Sequence, residues 1–292
     1  MRLVSVITGG NRRAGLIDGD RVLVTRMPGL DAAIAAGVDL ADADGDWLSL
    51  DEMQLDAPLR PPVVFCLGQN YRDHLDEKAP VEVKEPEFFL KAGQTVVPPD
   101  APCALDPRVT AKLDYETELG IVIGRAARHV PPERALEHVL GYVVVNDLTA
   151  RDRQVVPLAS GRFATALGPG KNFDGATRLG AWVTPATEVA DPHALSLLTR
   201  VNGDLRQSNT TAAMIHRVPE LISFLSRLLT LQPGAVVSTG TPGGTGWGQD
   251  AELGGTGVTP AGCVPGRYLA PGDHVQSQIE GVGELSFDVI AE

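Results

Sequence analysis

Apolar residues recur along this chain in short runs broken by glycine and proline, a spacing that suits strands better than helices. Val4-Ser5-Val6-Ile7 and Arg21-Val22-Leu23-Val24 flank a turn signal at Asp18-Gly19-Asp20, and Asp31 to Ala36 reads as a short helix. Further strand-like runs fall at Val63 to Leu67, Glu87 to Leu90, Leu119 to Ile123, Tyr142 to Val145, Ala181 to Val183, Leu198 to Val201, Ala235 to Thr239 and His274 to Ile279. Helical spacing is confined to two places. Leu136, Val139 and Leu140 share a face after Pro131-Pro132, and Leu221, Ile222, Leu225, Leu228 and Leu229 do so between Pro219 and Pro233-Gly234. Many strands with few helices, not in strict alternation, predict a β-rich α+β fold. The prolines of Pro58-Leu59-Arg60-Pro61-Pro62 can continue neither a ladder nor a helix, so they divide a small N-terminal β-domain, residues 1–60, from a main domain, 61–292. The glycine-rich stretch 245–267 reads as a long irregular loop.

Composition narrows the function. The 25 basic and 37 acidic side chains leave a net charge of −12, and no basic run exists to neutralise a phosphate backbone, so nucleic acid is excluded as a partner. No stretch approaches the ~20 apolar residues a membrane span requires. Met1 to Asn11 lacks the layout of a signal peptide. Cys66, Cys103 and Cys263 are odd in number and far apart, the pattern of free thiols in a reducing cytoplasm. Without secretion, the sequon Asn209-Thr210-Thr211 carries no weight.

Two constellations carry chemistry. In Leu113-Asp114-Tyr115-Glu116-Thr117-Glu118-Leu119-Gly120-Ile121-Val122-Ile123, alternation along a strand puts Glu116 and Glu118 on one face. A second apolar run, Tyr142 to Val145, leads straight into Asn146-Asp147. Carboxylates at the ends of apolar strands cost several kcal/mol each to bury unpaired, so they lie at the surface or cations compensate them. An all-oxygen cluster selects Mg²⁺ or Mn²⁺ over zinc. In the second constellation, a helical turn over Tyr71 to Glu77 places His74 and Glu77 three residues apart on one face. A carboxylate beside imidazole is the arrangement of a general base, and also of an ordinary surface pair. The other histidines have no comparable company.

These segments resemble a known family in chain order. Gly68-Gln69-Asn70-Tyr71-x-x-His74-x-x-Glu77 is similar to the GxNYxxHxxE element of the fumarylacetoacetate hydrolase family. Phe88-Phe89-Leu90-Lys91, Asp114-Tyr115-Glu116-x-Glu118-Leu119, Asn146-Asp147-x-Thr149-Ala150-Arg151-Asp152-x-Gln154 and Thr239-Gly240-Thr241-Pro242-x-Gly244 resemble its FLK, DYExEL, ND(S/T)ARDxQ and TGTPxG elements. Lys171, in Lys171-Asn172-Phe173-Asp174, matches its KxFD lysine.

The resemblance implies a small N-terminal β-domain followed by a mixed β-roll or β-sandwich, as a homodimer. It implies Glu116, Glu118 and Asp147 as ligands of Mg²⁺ or Mn²⁺, His74 with Glu77 as a water-activating dyad on a segment that orders over the substrate, and Lys171 as the group stabilising negative charge. Arg151, Gln154 and Thr241 would bind substrate. The implied activity is hydrolysis of a carbon–carbon bond in a small acylpyruvate-like or β-diketo acid through an enolate held by the metal. Isomerisation (tautomerisation) or decarboxylation of a 2-oxo or 2-hydroxy-dienoic acid at the same metal site is the alternative. Two features depart from the family: Ala92-Gly93-Gln94-Thr95 follows the FLK element, and the loop 245–267, with Trp247, is longer than in compact members.

Overall fold

The computed structural model describes residues 1–78 and 85–292. The chain opens with strands β1 (Arg2–Thr8), β2 (Asn11–Asp18) and β3 (Arg21–Thr25), a one-and-a-half-turn helix α1 (Leu30–Ala35), then β4 (Gly45–Ser49) and β5 (Gln54–Asp56). These strands form one sheet in the order β4-β3-β2-β1-β5. β2 goes unseen in the hydrophobic pattern because Arg12, Arg13 and Gly15 interrupt it; its pairing on both edges makes it a strand.

The larger part of the chain contains β6 (Val63–Gly68), α2 (Arg72–Asp76), β7 (Glu87–Ala92), β8 (Thr117–Ile123), β9 (Val139–Asp147), α3 (Arg151–Gln154), α4 (Leu167–Lys171), β10 (Thr177–Leu179), β11 (Ser196–Val201), β12 (Asp204–Thr210), α5 (Val218–Leu228), β13 (Val236–Ser238), β14 (His274–Ile279) and β15 (Gly283–Ala291). A central mixed sheet runs β7-β6-β13-β8-β9-β10, with β6 and β13 parallel and β8 antiparallel to both β13 and β9. A second sheet, β12-β11-β14-β15, packs against it. The fold is therefore β-rich α+β, a curled mixed sheet with few helices.

The central strands read as unbroken apolar runs because both faces are covered. Leu119, Ile121, Ile123, Tyr142 and Val144 enter the core shared with the second sheet and α5. Val122, Val143 and Val145 point the other way, into a core shared with Ala14, Leu16 and Leu23 of the N-terminal sheet. The two-residue period thus sorts one strand between two cores.

Three predicted details differ. The helical spacing after Pro131-Pro132 produces only a 3₁₀ segment, Pro132–His138, and Val139 already begins β9, because pairing with β8 overrides the local pattern. Leu228 and Leu229 lie exposed at the end of α5 while Leu221, Ile222 and Leu225 are buried. Ala181 to Val183 forms no strand; Val183 makes a single bridge to Leu3. Among the described residues no helix is long and apolar enough to cross a membrane. Cys66, Cys103 and Cys263 are unpaired thiols.

Candidate active site

The register of β8 and β9 creates the acidic centre. Thr117 pairs with Asn146 and Glu118 with Val145, and the Asp147 amide donates to the Glu116 carbonyl at 2.9 Å just before β8 begins. Glu116 thus stands opposite Asp147, and Glu118 is its diagonal neighbour on the same face. The alternate residues, Thr117 and Asn146, face the second sheet, where both hydroxyl and amide reach Ser277 Oγ, at 2.6 and 3.0 Å. Carboxylate oxygens of Glu116, Glu118 and Asp147 lie within 4.8 Å of one another, all buried.

Each acid is neutralised differently. Arg151 Nη2 donates to Glu116 at 2.5 Å. Lys171 Nζ contacts Glu116 and donates to Asp147 at 2.8 Å. Lys91 Nζ contacts Asp147 and donates to the Ala176 carbonyl at 2.7 Å. Glu118 receives only Ser238 Oγ, at 2.6 Å, and the Gly240 amide, at 2.9 Å; among the described residues it has no cationic partner. Burial, reinforced by the charges of Asp147 and Glu116, pushes the Glu118 carboxyl up to about 8. Glu116 is also buried, but Lys171 and Arg151 overcome that penalty and hold it at about 2. A divalent cation would supply the missing charge, and three buried carboxylates are donors suited to a hard ion.

The predicted dyad forms on α2. His74 Nδ1 lies 2.7 Å from Glu77 Oε2. Glu77 is itself buried and saturated, accepting from the amides of Gly244 (2.6 Å) and Thr245 (2.9 Å) and from Thr245 Oγ1 (2.9 Å). With Glu77 Oε2 accepting from His74 Nδ1–H, the imidazole Nε2 is left for chemistry. The turn leading into α2 is pinned by Asn70, whose amide donates to the carbonyls of His216 and Thr239 and whose oxygen accepts the His216 amide. Gly248 is required here, since a Cβ would sit 2.6 Å from Glu77 Oε1.

His74, Glu116, Glu118, Asp147, Arg151, Gln154, Lys171 and Thr241 all line one pocket of about 70 Å³. Glu77 stands behind His74. Gln154 accepts from Arg151 Nη1 at 2.7 Å. The Thr241 hydroxyl is already engaged, donating to the Thr117 carbonyl at 3.1 Å and accepting from Gln207 at 2.9 Å.

Sequence reasoning passed over three residues of this site. Lys91 lies inside the FLK element and steadies Asp147. Asp114, in the DYE element, accepts Arg151 Nε at 2.7 Å and the amides of Gly246 (2.8 Å) and Trp247 (3.1 Å), tying the long loop to the guanidinium. Ser238 supports Glu118. Trp247, which the sequence singled out in the long loop, does enter the pocket, its ring 6.1 Å from that of His74. A buried charge of either sign beside a paired acid is the signal that would have found the first two.

A model described as the C-terminal domain of fumarylacetoacetate (FAA) hydrolase matches residues 63–290. The chain belongs to the fumarylacetoacetate hydrolase family. It is 36% identical over 242 residues to the oxaloacetate tautomerase YisK of Bacillus subtilis, covering 82% of this chain and 73% of that protein. The fold is similar to a fumarylacetoacetate hydrolase from Exiguobacterium antarcticum, with a TM-score of 0.81 and 34% identity over 100% of both chains. It is also similar to a maleylpyruvate hydrolase from Sphingobium, in complex with manganese(II) and pyruvate, with a TM-score of 0.74 and 26% identity over 100% of this chain and 99% of that one. The family includes hydrolases, isomerases and tautomerases, and this chain shares its enzymatic fold and an acidic triad suited to a metal.

Proposed function

We propose that this family member binds Mg²⁺ or Mn²⁺ through Glu116, Glu118 and Asp147 and hydrolyses a carbon–carbon bond in a small acylpyruvate-like or β-diketo acid. The observation that carries this reading is that His74, paired with Glu77, lines the same pocket as the acidic triad. The bound ion supplies a Lewis acid that draws electron density from the oxygens of a 2-oxo acid.

The chain's own groups account for the rest. Glu77, locked by three donors, holds His74 so that Nε2 takes a proton from water. The resulting hydroxide adds to the carbonyl remote from the acid end, and the carbon–carbon bond breaks with its electron pair retained as an enolate. Lys171, kept cationic by Asp147 and Glu116 despite its burial, places positive charge where that anion develops. His74 then returns the proton to carbon. Arg151 and Gln154 position the acid, with Thr241 on the pocket wall. The pocket has room for on the order of five to seven water-sized groups, which suits a short acid.

The resemblance to an oxaloacetate tautomerase favours a second reading, in which the same dyad moves a proton between carbon and oxygen without water attack. Nuclear magnetic resonance of a keto-acid panel in D₂O with Mn²⁺- or Mg²⁺-loaded protein separates the two. Two product acids indicate hydrolysis, and accelerated deuterium exchange without cleavage indicates tautomerisation. Consumption of none of them, with no exchange, contradicts both. We further infer a homodimer acting in a reducing cytoplasm, a reading supported by the unpaired thiols and by Val156, Leu158 and Phe163, exposed around one hairpin.

A further inference from the structure

Three lysine or arginine side chains line the pocket: Lys78, Arg151 and Lys171. Two are already committed, Arg151 to Asp114 and Glu116, Lys171 to Glu116 and Asp147. Among the described residues Lys78 makes no ion pair with an acidic side chain. It extends the turn of α2 by one residue beyond Glu77, its amide donating to the Leu75 carbonyl at 3.3 Å, so it follows His74 by four positions on the same helical face. Its Nζ lies 5.2 Å from the centre of the Trp247 ring. The indole is held in place, with Nε1 donating to the Leu253 carbonyl at 2.9 Å and the backbone amide bound to Asp114. The Arg151 guanidinium lies 5.1 Å from the same ring.

From this geometry we propose that Lys78, backed by Trp247, is a specificity-determining residue that binds a second carboxylate, selecting short dicarboxylic 2-oxo acids over those with a neutral tail. The inference rests on the reading of the pocket as a 2-oxo acid site. An ammonium mostly removed from water, near the Arg151 cation and with no direct ion pair among the described residues, is only weakly stabilised by the more distant charges of Glu87, Glu116 and Glu77 until an anion arrives. Burial, aided by the Arg151 charge, lowers the proton affinity of Lys78 in keeping with this. The indole face offers a cation–π contact that holds the ammonium without neutralising it. The acid end of a ligand would be held at the metal bound by the triad; Lys78, in no ion pair among the described residues, is left for the opposite end.

The test is calorimetric titration of Mn²⁺-loaded wild type and Lys78→Gln with 2-oxoglutarate and 2-oxopentanoate, which share a chain length and differ in the tail carboxylate. Wild type is expected to prefer 2-oxoglutarate by about tenfold or more, the scale of one charge-assisted contact. Lys78→Gln should lose that preference through weaker 2-oxoglutarate binding alone, with Mn²⁺ and 2-oxopentanoate affinities unchanged, and Lys78→Arg should retain most of it. Equal affinities in wild type, or a preference that survives Lys78→Gln, overturns the inference while leaving the 2-oxo acid site intact. Failure of both ligands to bind wild type overturns both.

Discussion

Glu118 and Asp147 sit on adjacent antiparallel strands, two residues out of direct register, and their carboxylates converge with that of Glu116 on one buried point. Lys91 and Lys171 serve Asp147, whereas Glu118 has only a hydroxyl and an amide. This asymmetry makes Glu118 the acid whose ionisation a bound cation would most favour.

Metal affinity should therefore depend on pH. In the metal-free protein the folded Glu118 carboxyl titrates at about 8 against an ordinary 4.5, so the folded state binds the extra proton between those values. The associated stability is complete below the ordinary value and is lost as pH rises towards 8. Binding a cation must expel that proton, so Mn²⁺ affinity should fall about tenfold per unit of pH below 8, with about one proton released. Calorimetry in two buffers of different ionisation enthalpy measures the release, and a flat affinity between pH 6 and 8 argues against the assignment.

Glu118→Gln should separate metal binding from stability. The amide oxygen can still accept from Ser238 and Gly240, while the repulsion with Asp147 and Glu116 disappears. Metal-free protein at pH 8 should melt higher by a few degrees, on the order of 1 kcal/mol, yet bind Mn²⁺ at least about tenfold more weakly. A lower melting temperature without metal would mean that the three acids do not repel one another.

Lys91→Ala should act mainly on folding. It leaves Asp147 without one of its two ammonium partners inside the protein, a loss worth about 3–5 kcal/mol for a buried pair. Urea unfolding of the metal-free protein reads this directly, and Mn²⁺ should recover part of the loss by neutralising Asp147. A cost below about 1 kcal/mol would show that Lys91 is incidental.

His74→Ala should lower kcat by about 10²–10⁴, the usual contribution of a positioned acid–base group, while Mn²⁺ affinity stays within about threefold because His74 is no ligand in this account. A parallel collapse of metal binding would give His74 the wrong role.

Much of this was legible in the sequence, and the limits have physical causes. Strand alternation places Glu116 and Glu118 on one face, and helical spacing places His74 over Glu77, because both relations are local. That Asp147 joins the triad depends on the register of β8 against β9, which no local pattern encodes; the ordered family motifs supplied it. Burial was equally hidden: a run ending in Asn146-Asp147 looks the same whether it ends in solvent or under Lys91 and Lys171. Arg12, Arg13 and Gly15 concealed β2 since its first half is polar, although Ala14, Leu16 and Ile17 in its second half are buried on both faces. Val139 and Leu140 imitated a helix because a 3₁₀ turn runs directly into a strand. The loop 245–267 did prove irregular, with two 3₁₀ turns, but that Asp114 and Glu77 both anchor it could not be read from glycine content.

The central claim is that three carboxylates hold one hard cation beside the His74–Glu77 dyad. Electron paramagnetic resonance of free Mn²⁺ during titration of the protein, with Asp147→Asn alongside wild type, tests it most directly. The account predicts one Mn²⁺ removed from solution per wild-type chain, with affinity reduced by about a hundredfold in Asp147→Asn. Equal uptake by the two proteins, or none by wild type at millimolar Mn²⁺, would contradict it.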